Sequence, residues 1–91
     1  MIQLYRVIPI DVKAVQWLGH NIDEIKNFVG DKITCKEIEN EHHPIYKITV
    51  NTPDGDCLVW KGDYIAKFAS DRFYVFSSGD FLSKFEEIKG E

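Results

Sequence analysis

Val12-Lys13-Ala14-Val15-Gln16-Trp17, running into Gly19-His20-Asn21, and the later Gly62-Asp63-Tyr64-Ile65 are the stretches that decide the fold. In the first, Val12, Ala14 and Gln16 alternate with Lys13, Val15 and Trp17, the period of two that a strand imposes on its side chains. Val15 and Trp17 make the second face partly apolar too, which predicts cover on both faces. Gly19-His20-Asn21 ends the strand. Asn21 with Glu24 three residues on has the spacing of a capping box, in which the Asn oxygen accepts from a free helix amide and Glu24 reaches back. Ile22, Ile25, Phe28 and Val29 then form one apolar stripe on two helical turns. Asp23 and Glu24 suit the positive helix start, and Gly30 supplies a left-handed stop. The spacing predicts a helix over Asn21–Val29.

Downstream the period of two returns. Ile33, Cys35 and Glu37 alternate with Thr34, Lys36 and Ile38, and Tyr46, Ile48 and Val50 alternate with Lys47, Thr49 and Asn51. Pro53-Asp54-Gly55 is turn chemistry, because Pro presets φ, Asp bonds its own backbone and Gly takes positive φ. Cys57 to Trp60 is the return strand, Lys61-Gly62-Asp63 the next turn, and Tyr64–Phe68 and Arg72–Phe76 a further pair around Ala69-Ser70-Asp71. Ser78 caps a last short helix through Lys84, whose Phe81, Leu82 and Phe85 are expected to dock on the sheet. At the other end, Ile2–Ile8 is apolar and β-branched, and Pro9 within it belongs at an edge, a bulge or a break between two strands.

The fold class that follows is α+β: a curved, mostly antiparallel meander of about five to seven strands, with one helix in the N-terminal half and a short C-terminal one. Residues 1–91 are expected to form a single domain, since two cores in this length would each be too small. Its core is expected to include Val15, Trp17, Ile22, Ile25, Phe28, Ile48, Val50, Val59, Ile65, Phe73 and Phe81.

Composition narrows function by exclusion. A net charge of −4 and the lack of a Lys/Arg run argue against a general affinity for nucleic-acid backbones or anionic membranes. No stretch approaches the ~20 apolar residues of a membrane span, and Met1–Arg6 lacks a signal-peptide layout, so the expected compartment is the cytoplasm. Cys35 and Cys57 each sit in an apolar run and read as buried free thiols.

No set of residues has the spacing of a catalytic centre. His42-His43 with Glu39 and Glu41 reads as a solvated loop rather than a metal site, because adjacent histidines on a strand point to opposite faces. Cys57 beside Leu58-Val59-Trp60 lacks the electropositive setting a nucleophilic thiolate needs. Glu86, Glu87 and Glu91 form a polar tail without a paired carboxylate for acid–base work. No cofactor or metal is implied.

Two groups stand out as candidate ligand or partner contacts. Gly62-Asp63-Tyr64 is either a ligand-facing turn or a structural one whose Asp ties down turn amides. The aromatics Trp17, Trp60, Tyr64, Phe73, Tyr74 and Phe76 exceed what one small core obviously needs, and Phe73 and Tyr74, being adjacent, face opposite sides of a strand. Either some of them form a surface patch for a partner, or the sheet is covered on both faces or by a second copy of the chain.

Read in order, these residues resemble a family of small bacteriophage and prophage proteins with a Pro-Gly-Asp-Tyr-type turn, whose biochemistry is uncharacterised. Tyr5-Arg6 with Pro9, Ala14 with Gln16-Trp17, Gly19, Asn21, and Phe28 with Gly30 are similar to its first half. Thr52 with Asp54-Gly55, Gly62-Asp63-Tyr64-Ile65, Lys67, Phe73-Tyr74, Phe81 and Phe85-Glu86 are similar to its second. The chain departs at Lys13, where Glu is usual, at Lys61, where Pro is common, and at Phe68 and Asp71, where glycines are usual. The resemblance implies a phage or prophage origin and no particular chemistry. The leading expectation is a non-enzymatic accessory protein of the bacterial host cytoplasm that binds another protein or itself. The alternatives are a small-molecule or nucleotide-binding enzyme or sensor at the Gly62-Asp63 turn and, less favoured by charge, binding of single-stranded nucleic acid on the aromatics.

Overall fold

A computed structural model describes residues 2–4, 11–38, 45–68 and 71–86. The chain is α+β, with six strands among the described residues, β1 (Lys13–Gln16), β2 (Ile33–Ile38), β3 (Ile45–Thr52), β4 (Gly55–Val59), β5 (Tyr64–Phe68) and β6 (Arg72–Phe76). The α-helices among these residues are α1 (Ile22–Val29), which runs on into a 3-10 turn at Gly30–Lys32, and α2 (Ser78–Lys84). Every strand pairing is antiparallel, and the strands divide between two three-stranded sheets, ordered β1-β5-β6 and β2-β3-β4. The expectations for Pro9 and for the His42-His43 segment fall outside the described residues. Ile2 and Leu4 lie in irregular backbone and are fully exposed.

Alternation assigns each strand an inner and an outer face. In the second sheet Cys35 pairs with Ile48, which pairs with Val59, and Ile33 pairs with Val50, which pairs with Cys57. These residues face the first sheet, whose inner face carries Val15, Ile65, Phe73 and Val75. The sheets meet where β3 lies against β6. Helix α1 closes the space between them with Ile25 and Val29, and Phe28 sets its ring edge-on to Phe73 with centroids 5.8 Å apart. Ile25, Ile48, Val50 and Ile65 are fully buried, each burial contributing about 1.5–3 kcal/mol. Cys35 and Cys57 are free and half-buried, and the Cys57 thiol points to the Leu58 carbonyl at 3.7 Å.

The other face of the first sheet is covered too. Tyr64, Ala66, Phe68, Tyr74 and Phe76 alternate away from the core, and α2 lies against them. Phe81 stacks on Tyr64 at 4.3 Å and on Phe85 at 4.7 Å, Phe85 meets Phe76 edge-on at 5.5 Å, and Phe68 meets Tyr74 at 5.2 Å. The surplus aromatics therefore build a second cluster under α2, where half-buried Phe81 sits, apart from the main core.

Three local expectations are corrected. Asn21 precedes α1, but its carboxamide makes no cap bond. Its oxygen accepts from the Leu18 amide at 2.9 Å, and its nitrogen donates to the Gln16 carbonyl at 2.9 Å and to Glu24 Oε1 at 2.7 Å. With φ −102° and ψ 46°, Asn21 lies outside the extended region that aims a cap at the helix, so it ties the helix start to the end of β1 instead. The cap of α2 is Ser77 rather than Ser78: its extended backbone (ψ 157°) lets Oγ accept from the Asp80 amide at 3.2 Å. Leu82 is 64% exposed, because a helix that puts Phe81 and Phe85 on one face turns the residue between them toward solvent.

Candidate functional site

The segment Trp60-Lys61-Gly62-Asp63 is a tight turn closed by the Asp63 amide donating to the Trp60 carbonyl at 2.9 Å. Gly62 has φ 98° and Lys61 has negative φ, the pattern of a type II turn, in which the third residue needs the left-handed half of the backbone map. The Asp63 carboxylate accepts from the Trp60 amide at 2.9 Å, so the turn is bonded in both directions. A second layer clamps it to β1: Gly62 N–H donates to the Trp17 carbonyl at 2.7 Å, Trp17 N–H donates to the Asp63 carbonyl at 2.9 Å, and Gln16 Nε2 donates to the Gly62 carbonyl at 3.0 Å. Five bonds thus hold one four-residue turn.

The clamp presents Trp60. The side chain leaves the outer face of the second sheet and is 68% exposed. It borders a half-open groove of about 550 Å³, within the size range of natural ligand sites. Buried Trp17 and Val59 reach the groove from the core side with Tyr46, which meets the Trp17 ring edge-on at 6.3 Å. Ile38, Ile45 and Leu58 supply its apolar wall, and Ile38 and Ile45 pair across β2 and β3 while staying almost half exposed. Gly19 (φ 93°) lets the β1–α1 connection pass close to Lys61, whose aliphatic stem lies 3.4 Å from where a Cβ on Gly19 would be.

Among the described residues the charged side chains at this groove are Lys47 and Lys61. Lys36 stands directly opposite Lys47 across β2 and β3, and one step beyond the Ile48–Val59 pair the register sets Trp60 opposite Lys47. A row Lys36–Lys47–Trp60 therefore crosses the outer face of the second sheet.

The residues singled out from sequence separate into three places. Gly62 and Asp63 form the clamp, with the Asp63 carboxylate bonded inside its own turn. Tyr64, half-buried, lies under α2 against Phe81, and Tyr74 lies in the same cluster against Phe68. Trp17 (4% exposed) and Phe73 (3%) are core residues, as their place in the expected core implies, and Trp17 alone of the two touches the groove. The lysines and the wall were not singled out from sequence. The signal for the wall was there, in apolar Ile38, Ile45 and Leu58 falling on strand positions that alternation sends outward, beside Trp60, which the surplus of aromatics had already marked.

Among the described residues no cluster of three His, Cys, Asp or Glu side chains could hold a metal, and no helix is long and apolar enough to cross a membrane. Comparison with protein-family models, with curated proteins and with solved structures gives no match to this chain.

Proposed function

We propose that this chain is a non-enzymatic binding module that holds a protein partner in the groove beside Trp60. The observation that carries the reading is the exposed indole itself, a large apolar ring carried on backbone that a five-bond turn fixes at the border of an apolar groove. Tryptophan anchors dominate protein interfaces because they bury a large area with few rotatable bonds, and a backbone already held in place limits the freedom lost on binding. The aromatic cluster under α2 is satisfied within the fold and needs no partner. The sequence resemblance supports an accessory role for a phage or prophage in the host cytoplasm.

The test is affinity capture from a bacterial lysate with the tagged chain and two variants, Trp60→Ala and Leu82→Ser, the latter at an exposed position on the distant helix. The expected result is a stoichiometric protein held by the wild type and by Leu82→Ser and lost from Trp60→Ala. Equal retention by Trp60→Ala, or no retained protein at all, contradicts the reading.

A further inference from the structure

Among the described residues, the charge lining the groove runs against that of the molecule. The chain carries a net charge of −4, yet the charged side chains at the groove among the described residues are Lys47 and Lys61, and Lys36 adjoins them through its pairing with Lys47. Like charges placed directly opposite each other on a sheet oppose folding. Among the described residues none of the three lysines has an acidic partner. Asp56, the acidic residue on the outer face of β4, bonds Asn51 at the far end of the hairpin.

Building on the binding-module reading, we infer that the groove takes an acidic polypeptide segment, one apolar side chain seated beside Trp60 and Asp or Glu side chains against Lys36, Lys47 and Lys61. The apolar wall of Ile38, Ile45 and Leu58 accommodates a side chain, and the lysines complement carboxylates flanking it. A second copy of this chain fits poorly, since a two-fold contact through this face sets each lysine trio against the other. Single-stranded nucleic acid fits poorly as well. Such surfaces stack successive bases on several aromatics, whereas the outward ring here is one tryptophan with aliphatic neighbours.

The test is selection of short random peptides displayed against the immobilised full chain, with oligothymidylate as a parallel probe and sedimentation to follow self-association. The expected result is a pool enriched in Asp and Glu next to an apolar anchor. Affinity of its members should fall about tenfold in Lys47→Glu and at least as far in Trp60→Ala. The urea midpoint of Lys47→Glu should hold or rise, because Lys36 then faces an opposite charge; this separates lost binding from lost folding. Lys36→Glu is the second variant and should behave alike. A pool that needs Trp60 but is neutral or basic overturns the acidic assignment and leaves the binding-module reading in place. Failure to select any peptide, together with oligothymidylate binding or self-association that buries Trp60, overturns both.

Discussion

Changing Gly62 to Ala tests whether the clamp is set by backbone conformation. Gly62 sits at φ 98°, and a Cβ added there would meet no atom within 4 Å, so the substitution brings no clash. What remains is the backbone penalty of holding an L-residue in the left-handed half of the map, roughly 1–2 kcal/mol. If the turn yields instead, the chain gives up the Gly62–Trp17 bond at 2.7 Å and the Gln16–Gly62 bond at 3.0 Å. Each contributes about 1 kcal/mol, so either route leads to a similar loss. For a domain of this size a loss of ~1–2 kcal/mol lowers Tm by about 4–16 °C. Thermal and urea denaturation followed by circular dichroism reads it. The matched control is Gly79→Ala in α2, where a Cβ would also meet nothing and φ is not positive. There Ala is the better helix former, and a gain of up to about 1 kcal/mol is expected. Opposite signs for the same chemical change in equally open surroundings isolate φ as the cause. Equal signs, or an unchanged midpoint for Gly62→Ala, refute the reasoning.

Three further pairs of substitutions probe other parts of the fold. Ser77→Ala should cost about 0.5–2 kcal/mol in urea denaturation and Ser78→Ala almost nothing, since Ser77 Oγ holds the Asp80 amide. Phe81→Ala should cost roughly 1.5–3 kcal/mol, less than a full core truncation because Phe81 is half-buried, whereas exposed Leu82→Ser should stay within about 0.5 kcal/mol by the same measurement. Asp71 holds φ 55°, so Asp71→Gly should fall within about 1 kcal/mol of the wild type, and Asp71→Ala, which loses the same 3.2 Å pair with Lys67 but keeps the strained φ, should be the less stable of the two.

Much that rests on neighbours in sequence was legible before the structure. The stripe Ile22, Ile25, Phe28, Val29 makes α1, the alternation at Tyr46, Ile48 and Val50 sets the inward face of β3, and Pro53-Asp54-Gly55 turns where turn chemistry requires. The division into two sheets was not legible, because β1 finds its partner in β5, some fifty residues on, and no local pattern records that choice. Asn21 misled because a carboxamide both donates and accepts, and the free groups at the end of β1 compete with the helix amides for it. Ser77 and Ser78 offer the same hydroxyl one residue apart, and Leu82 faces water because Phe81 and Phe85 take the docked face of the helix. The candidate site was half legible. Gly62 and Asp63 drew notice for their backbone chemistry, and the turn they build is what holds Trp60. Lys36, Lys47 and Lys61 are scattered along the chain and become one basic patch only through the register of β2, β3 and β4.

The most direct test of the central claim is a heteronuclear NMR titration of the full chain with its captured partner or with a selected acidic peptide. The two tryptophan indoles, one buried and one exposed, give separate signals. The expected result is a large shift at the Trp60 indole and at the Ile45 and Lys47 amides, with the α2 amides around Leu82 unmoved. Shifts centred on α2, or a Trp60 indole that stays in place while the ligand binds, contradict the account.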